Sequence, residues 1–227
     1  MNKTIILASL TSLLTACGGG SGGSNTHTPP PVIEQPKKIG VLTDGIIQGA
    51  SYTTSSGLSG VTNASGEFTY REGDQITFTL GPVQLGNTIT ALARITPIEL
   101  TSSRQTRLNM MVLLQSLDQD QNHDNGISIG STDVALLTGK NINLNDSSTT
   151  FKNALSNAFT NTNKTVVTEE KAIQNFTEAF YKDIAGTWEI GRNSTEVVVV
   201  HIDQYGHYFL GEVAASTYDA KSGIEFG

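Results

Sequence analysis

The chain has 227 residues, one cysteine and a formal net charge of -7, with 14 Lys and Arg against 21 Asp and Glu. This acidic balance argues against a nucleic-acid partner and against a basic patch for anionic lipid, because both depend on Lys and Arg. The length allows one large or two small domains, and a single cysteine excludes an internal disulfide framework, so stability must come from packing.

The first residues have the pattern of an export signal. Lys3 gives a positive start, and residues 5–14 are mostly apolar or small. A segment of this length suits the core of a signal peptide and is too short to span a bilayer as a helix. The pattern alone also fits an ordinary secretory signal with a chance cysteine.

The segment ends in Leu14-Thr15-Ala16-Cys17, which resembles the lipobox of bacterial lipoproteins. The resemblance implies that residues 1–16 are removed and that the thiol of Cys17 carries a diacylglycerol. Two or more acyl chains give a stable membrane anchor, where one is marginal. Gly18 stands where an inner-membrane lipoprotein carries Asp, so the resemblance implies sorting to the outer membrane and leaves the leaflet open.

Residues 17–38 are predicted to be a tether after the lipidated cysteine. Gly and Ser dominate its first part, and Pro29-Pro30-Pro31 stiffens the second. From residue 39 to 100 the pattern is β. Ile76, Phe78 and Leu80 alternate with threonines, and turn residues separate short runs of this kind, which predicts an antiparallel β sandwich.

Residues 101–183 are predicted to be helical. Ser102 and Gln105 have the spacing of a capping box ahead of a leucine-rich helix, and residues 131–137 predict a short helix. Thr168 is the expected N-cap of the last helix. Two inner faces follow from helical spacing. They are Phe151, Leu155 and Phe159 in one helix, and Ile173, Phe176 and Phe180 in the next.

Residues 184–227 return to β, as a hairpin or partial sheet. Val197–Val200 is a branched run, and Tyr205-Gly206-His207 reads as a turn. A strand pattern is still under way at Gly227, which predicts that the natural protein continues. The predicted fold class is therefore α+β: an N-terminal antiparallel β sandwich, a central helical segment and a C-terminal hairpin.

Three passages are similar to large, adhesin-like surface lipoproteins of bacteria. Gly40–Gly45, Gly66–Tyr70 and Gly73–Phe78 resemble a carboxypeptidase-regulatory-like, or transthyretin-like, β module. Leu113–Asp118 with Asn125–Ile127 resembles the segment that often follows this module. The third passage consists of Gly186–Trp188, Gly206–Tyr208 and Gly223–Gly227. The resemblance implies architecture and a surface role, and it carries no catalytic residues.

The sharpest local feature lies between residues 118 and 126. Asp118, Asp120, Asn122 and Asp124 place oxygen side chains at alternate positions, as ligands of a hard cation such as Ca²⁺. The segment departs from an EF-hand, since His123 stands at the glycine position and Ile129 at that of the bidentate Glu. The competing interpretation is an acidic turn whose side chains bind their own backbone. No other cofactor is predicted.

Two weaker patterns do not predict a functional site. His201, Asp203 and His207 would begin a zinc site but lack further ligands, so they are interpreted as surface residues of a strand. Gly186-Thr187-Trp188 matches the first strand of lipocalins, but too little chain follows for an eight-stranded barrel.

The sequence carries no nucleophile elbow, Walker loop or zinc-protease motif, and we predict that the protein is not an enzyme. The favoured function is a lipid-anchored envelope protein with a binding or structural, adhesin-like role toward a surface ligand or envelope protein. The alternatives are a periplasmic small-ligand carrier and, in third place, a hydrolase. An exposed apolar patch would favour the binding role, and a closed apolar cavity would favour the carrier.

Overall fold

The computed structural model of the protein describes residues 35–192, 196–214 and 224–226. The elements run from short strands through helices to a second set of strands. The strands are β1 Lys37–Leu42, β2 Ile47–Gln48, β3 Ser51–Thr54, β4 Ser59–Val61, β5 Glu67–Arg71, β6 Gln75–Leu80, β7 Val83–Gln84, β8 Ile89–Thr90, β9 Arg94–Ile95, β10 Ile127–Ser128, β11 Gly186–Arg192, β12 Glu196–Ile202, β13 Tyr208–Ala214 and β14 Ile224–Phe226. The helices are α1 Pro97–Leu100, α2 Arg104–Leu117, α3 Ser131–Ala135, α4 Ser148–Ala158 and α5 Glu169–Ile184.

The strands before residue 96 form two main sheets. One has the order β5-β1-β9, and the other β4-β3-β6-β7 with β8 paired to β6. The ring of Phe68 on β5 lies 5.1 Å from that of Phe78 on β6 and 6.0 Å from that of Tyr52 on β3, so aromatic rings bridge the two sheets. The predicted α+β class is confirmed. Two short pairings, β1 with β9 and β2 with β10, are parallel rather than antiparallel.

Helix α2 lies at the centre of the helical segment. Ten of its residues, from Thr106 to Leu117, are buried, so it is apolar on most sides as its sequence predicts. Its N-cap is Ser103, whose side chain accepts from the amide of Thr106, and the expected start at Ser102 is wrong by one residue. A capping box does occur, but one helix earlier, between Thr96 and Glu99 of α1.

Helix α5 begins as predicted, since Thr168 caps it and accepts from the amide of Lys171. The predicted inner face of α5 is right for Phe176, which packs against the core, and wrong for Ile173. Its buried residues are Ala172, Asn175 and Ala179, and Ile173 is 39% exposed. The small side chains of Ala172 and Ala179 let α5 approach α2 closely. The orientation of α5 is set by the hydrogen bond of Asn175 to Gln115, described below, rather than by its largest apolar residues.

The strands from Gly186 onward form a sheet of order β11-β12-β13-β14, in which each strand pairs antiparallel with the next. The predicted hairpin is its centre, β12 and β13. Of the side chains described beyond Ala179, none is fully buried. Across the described ranges, no helix combines the length and the apolar character needed to cross a membrane.

Candidate functional site

The segment that the sequence singles out forms a closed loop between α2 and β10. At its neck, the amide of Ser128 donates to Oδ1 of Asp118 at 2.8 Å, and the amide of Gln119 donates to the carbonyl of Ser128 at 2.9 Å. Strand β10 then pairs with β2, which fixes the far end of the loop on the β region. The loop is therefore held at both ends by elements that belong to the core.

Asp118 is the buried member of this loop. Its side chain is 1% exposed, and its Oδ2 atom has no hydrogen-bond partner. Burial, together with the neighbouring carboxylate of Asp120, raises the pKa of Asp118 to about 6. A buried acceptor without a partner is unusual in a folded protein and indicates a missing ligand, proton or water.

Asp120 is exposed, and the loop supplies donors to both of its oxygens. The amide of Asn122 donates to Oδ1 at 2.9 Å, and Nδ2 of Asn125 donates to Oδ2 at 2.8 Å. Hydrogen bonds from these two residues lower the pKa of Asp120, so it remains a carboxylate beside Asp118.

The other two predicted ligands lie farther along the loop. Asn122 caps a single turn of 3₁₀ helix, His123–Asn125, through a bond from the amide of Asp124 to its Oδ1 at 3.3 Å. Asp124 is exposed within that turn. Among the described residues, no group of three or more His, Cys, Asp or Glu side chains converges as metal ligands. The structure thus brings Asp118 and Asp120 together and does not gather Asp124 with them.

Lys164 holds the start of the loop, although no pattern in the sequence predicts this role. Its Nζ donates to the carbonyls of Leu117 and Asp118 at 2.9 and 2.8 Å and pairs with Asp133 at 3.0 Å. These bonds satisfy carbonyls left open at the end of α2, the usual role of a cation at a helix C-terminus.

Gln121 marks the sharp turn of the loop. Its φ of 53° lies in the left-handed region, which a non-glycine residue rarely adopts. Its side-chain amide donates to the carbonyls of Ser116 and Thr165, and these two bonds hold the strained conformation. The left-handed turn thus falls two residues before His123, the position of the glycine in an EF-hand, which agrees with the departure from that motif seen in the sequence.

A second buried carboxylate lies beside the loop. Asp44, 1% exposed, accepts from Nε2 of Gln115 at 3.2 Å, and Asn175 in turn donates to Oε1 of Gln115 at 2.9 Å. Burial raises the pKa of Asp44 well above its usual value, and the Gln115 amide offsets only part of that. His123 Nε2 lies 2.7 Å from the backbone oxygen of Asp44 and donates to it, which joins this chain of side chains to the loop.

The zinc pattern is not assembled. His207 Nδ1 lies 2.9 Å from Oδ2 of Asp203, within the turn between β12 and β13. His201 instead contacts the hydroxyl of Thr187 at 2.9 Å, on the neighbouring strand. Each histidine has its own local partner, which agrees with the interpretation of these residues as surface positions.

The C-terminal sheet presents an apolar face. Register places Trp188 opposite Val200, Val200 opposite Leu210, and Ile202 opposite Tyr208, so these side chains lie on one side of the sheet. All members of this face are at least partly exposed, with Trp188 at 49% and Tyr208 at 45%. We call it the Trp188 face, and its apolar members are Trp188, Val198, Val200, Ile202, Tyr208 and Leu210. The register also places position 212 opposite Val198 and position 225 opposite Leu210.

Three open cavities of about 250, 310 and 560 Å³ with mixed polar and apolar linings border the loop. Two further cavities bear on small-ligand binding. One of about 370 Å³ has Gln84, Asn87, Asn143 and Asn145 in its lining. A small one of about 60 Å³ lies between α2, α5 and the loop and has Gln115, Asp118, Lys171 and Asn175 among its lining residues. The first differs from the mostly apolar pockets that bury small ligands, and the second is too small for one.

Comparisons with known proteins found no match, since no family model, curated protein or solved structure corresponds to this chain. Cys17, the predicted lipidation site, lies outside the described residues. The lipoprotein and adhesin-like predictions therefore rest on the sequence patterns, and the case for binding rests on the geometry above.

Proposed function

We propose that this protein is an exported lipoprotein, anchored through Cys17 in the outer membrane, that binds an envelope or surface partner through the Trp188 face. The observation that carries the binding role is the exposure of that face. Monomeric soluble proteins rarely leave contiguous apolar surface in water, and patches of this kind commonly mark interaction sites.

The residue types of the Trp188 face support this role. Trp and Tyr contribute large, rigid contact areas at a small cost in conformational entropy, and both are enriched at the centres of interfaces.

The anchor is tested by intact mass of the protein from detergent-solubilised cells, for wild type and Cys17→Ser. We expect wild type to begin at Cys17 and to carry acyl mass, and the variant to lack that mass. An uncleaved, unmodified wild-type chain would remove the membrane from the proposed function.

The binding role is tested by photo-cross-linking in living cells. A photoreactive amino acid replaces Tyr205, which is 72% exposed and lies next to the Trp188 face, or Ile39, which is 64% exposed on β1. We expect a discrete cross-linked product from position 205 and none of the same mass from position 39. The product from position 205 should be lost when Trp188→Ser is added. Uncross-linked protein alone, or a product that persists in Trp188→Ser, would contradict a binding role for this face.

A further inference from the structure

The loop closed by Asp118 and Ser128 contains a carboxylate arrangement that its own hydrogen bonds do not satisfy. Asp118 is almost wholly buried, and its Oδ2 accepts no hydrogen bond. The carboxylate of Asp120 is its direct electrostatic neighbour. The two carboxyl groups lie within hydrogen-bonding reach of each other, so either a shared proton or a cation must offset their repulsion.

Lys164 does not supply that charge to the carboxylate pair. Its Nζ is engaged with two main-chain carbonyls and with Asp133. The donors that reach Asp120 are neutral, an amide N–H and the side-chain amide of Asn125. The remaining oxygen of Asp118 is therefore left for a proton or a metal ion.

We propose that this loop binds a calcium ion between the carboxylates of Asp118 and Asp120. Asn125 is the third protein ligand. Its Nδ2 lies 2.8 Å from Oδ2 of Asp120, and a half-turn of the amide places its oxygen at the same point. Calcium takes six to eight oxygen ligands, so water fills the remaining positions on the exposed side of Asp120.

The proposed set differs from the alternating pattern in the sequence. Asp124 carries the same charge and lies in the same loop, but it is exposed in the 3₁₀ turn and does not converge with the pair. Asn122 already uses its side-chain oxygen to cap that turn. Asp124 is therefore a matched control, because its neutralisation changes the loop charge by the same amount as neutralisation of Asp120.

The experiment is isothermal titration calorimetry with calcium chloride on the full chain, purified in detergent and first stripped with a chelator. We expect one site per chain with a dissociation constant of about 0.1–1 mM, the range of extracellular calcium modules. Asp120→Asn should weaken binding by about tenfold or more, and Asp124→Asn should leave it within about twofold, since affinity follows the charge of the ligands. Asn125→Asp should bind more tightly than wild type.

Far-UV circular dichroism of each variant shows that the fold is retained, which is expected because all three substituted side chains are exposed. Absence of saturable binding in wild type would overturn the site. Unchanged affinity in Asp120→Asn, or an equal loss in Asp124→Asn, would also overturn it, because the loop would then attract calcium only through its net charge. Weaker binding by Asn125→Asp would remove Asn125 from the ligand set.

Discussion

Residues 35–184 and the C-terminal sheet differ in how far they bury their apolar side chains. In the first region, Phe68, Phe78 and Phe151 are fully buried in a core shared by the sandwich and the helices. In the second, four strands pair in sequence order, yet no described side chain beyond Ala179 is fully buried. The strands of this sheet are therefore paired through their backbones, while the described side chains on its faces remain at least partly exposed.

This difference indicates that the first region contributes most of the folding stability and that the C-terminal sheet is available for binding. A core with rings packed between sheets derives its free energy from apolar area removed from water. A sheet with partly exposed faces gains less from folding and keeps apolar area for contact with another surface. The only tryptophan, Trp188, lies in the second region and donates to the carbonyl of Ile184, so its fluorescence reports on that sheet and its junction with α5.

The largest expected effect is a loss of folding stability in the first region. Phe78→Ala removes a ring that is 0% exposed and contacts Tyr52 and Phe68, and should lower the free energy of unfolding by about 3–5 kcal/mol. Val200→Ala, in the half-exposed sheet, should cost about 1 kcal/mol or less. Urea denaturation followed by circular dichroism measures both. Equal losses would mean that the C-terminal sheet is as well packed as the sandwich.

A smaller effect comes from two aspartates that organise turns. Asp74 accepts from the amides of Arg71 and Ser56 and from the hydroxyls of Ser55 and Ser56, and it is 4% exposed. Asp203 plays the same part in the C-terminal hairpin, with bonds from the amides of Tyr205 and His207, but remains in contact with water.

Asp74→Ala should cost about 1–3 kcal/mol of unfolding free energy, because four hydrogen bonds lose their shared, buried acceptor. Asp203→Ala should cost less, since water replaces the lost acceptor. The same denaturation experiment compares them, with Trp188 fluorescence as the local readout for Asp203→Ala. A larger loss for Asp203→Ala would show that the C-terminal turn, and not the sandwich, limits stability.

The local patterns of the sequence predicted much of the first region. Alternation at Ile76, Phe78 and Leu80 identified a buried strand face, and Thr168 identified the start of α5. Both signals are read from neighbours within a few residues, where backbone periodicity and capping chemistry act. The hairpin around β12 and β13 was predicted for the same reason.

The interior polar contacts could not be predicted in this way. Gln115 meets Asp44 across 71 positions of chain, and Lys164 reaches Asp118 across 46. These contacts also decide the inner face of α5, where Asn175 is buried to bind Gln115 and the larger Ile173 is left outside. In the loop, the sequence identified Asp118 and Asp120, but only the fold separates them from Asp124.

A gain of stability, rather than a loss, is expected at Asp44, whose carboxyl group is buried, whereas Asp203 in the C-terminal turn stays in contact with water. The pKa of Asp44 is raised in the folded state above its usual value of 3.8. The unfolded chain therefore loses this proton first as pH rises. Stability from this group is fully present below 3.8 and is lost as pH rises through the folded pKa.

Asp44→Asn keeps an oxygen for the Gln115 amide and removes the buried charge. We expect the variant to be more stable than wild type near neutral pH, because burial of the Asp44 carboxyl opposes folding there and the Gln115 amide offsets only part of that effect. The advantage should shrink as pH falls toward 3.8. The quantity to measure is the difference in unfolding free energy between wild type and variant at each pH. Contributions from other groups, which titrate alike in both proteins, cancel in this difference. A difference that does not change with pH would mean that Asp44 is charged equally in both states, and that its charge is solvated in the folded chain despite its burial.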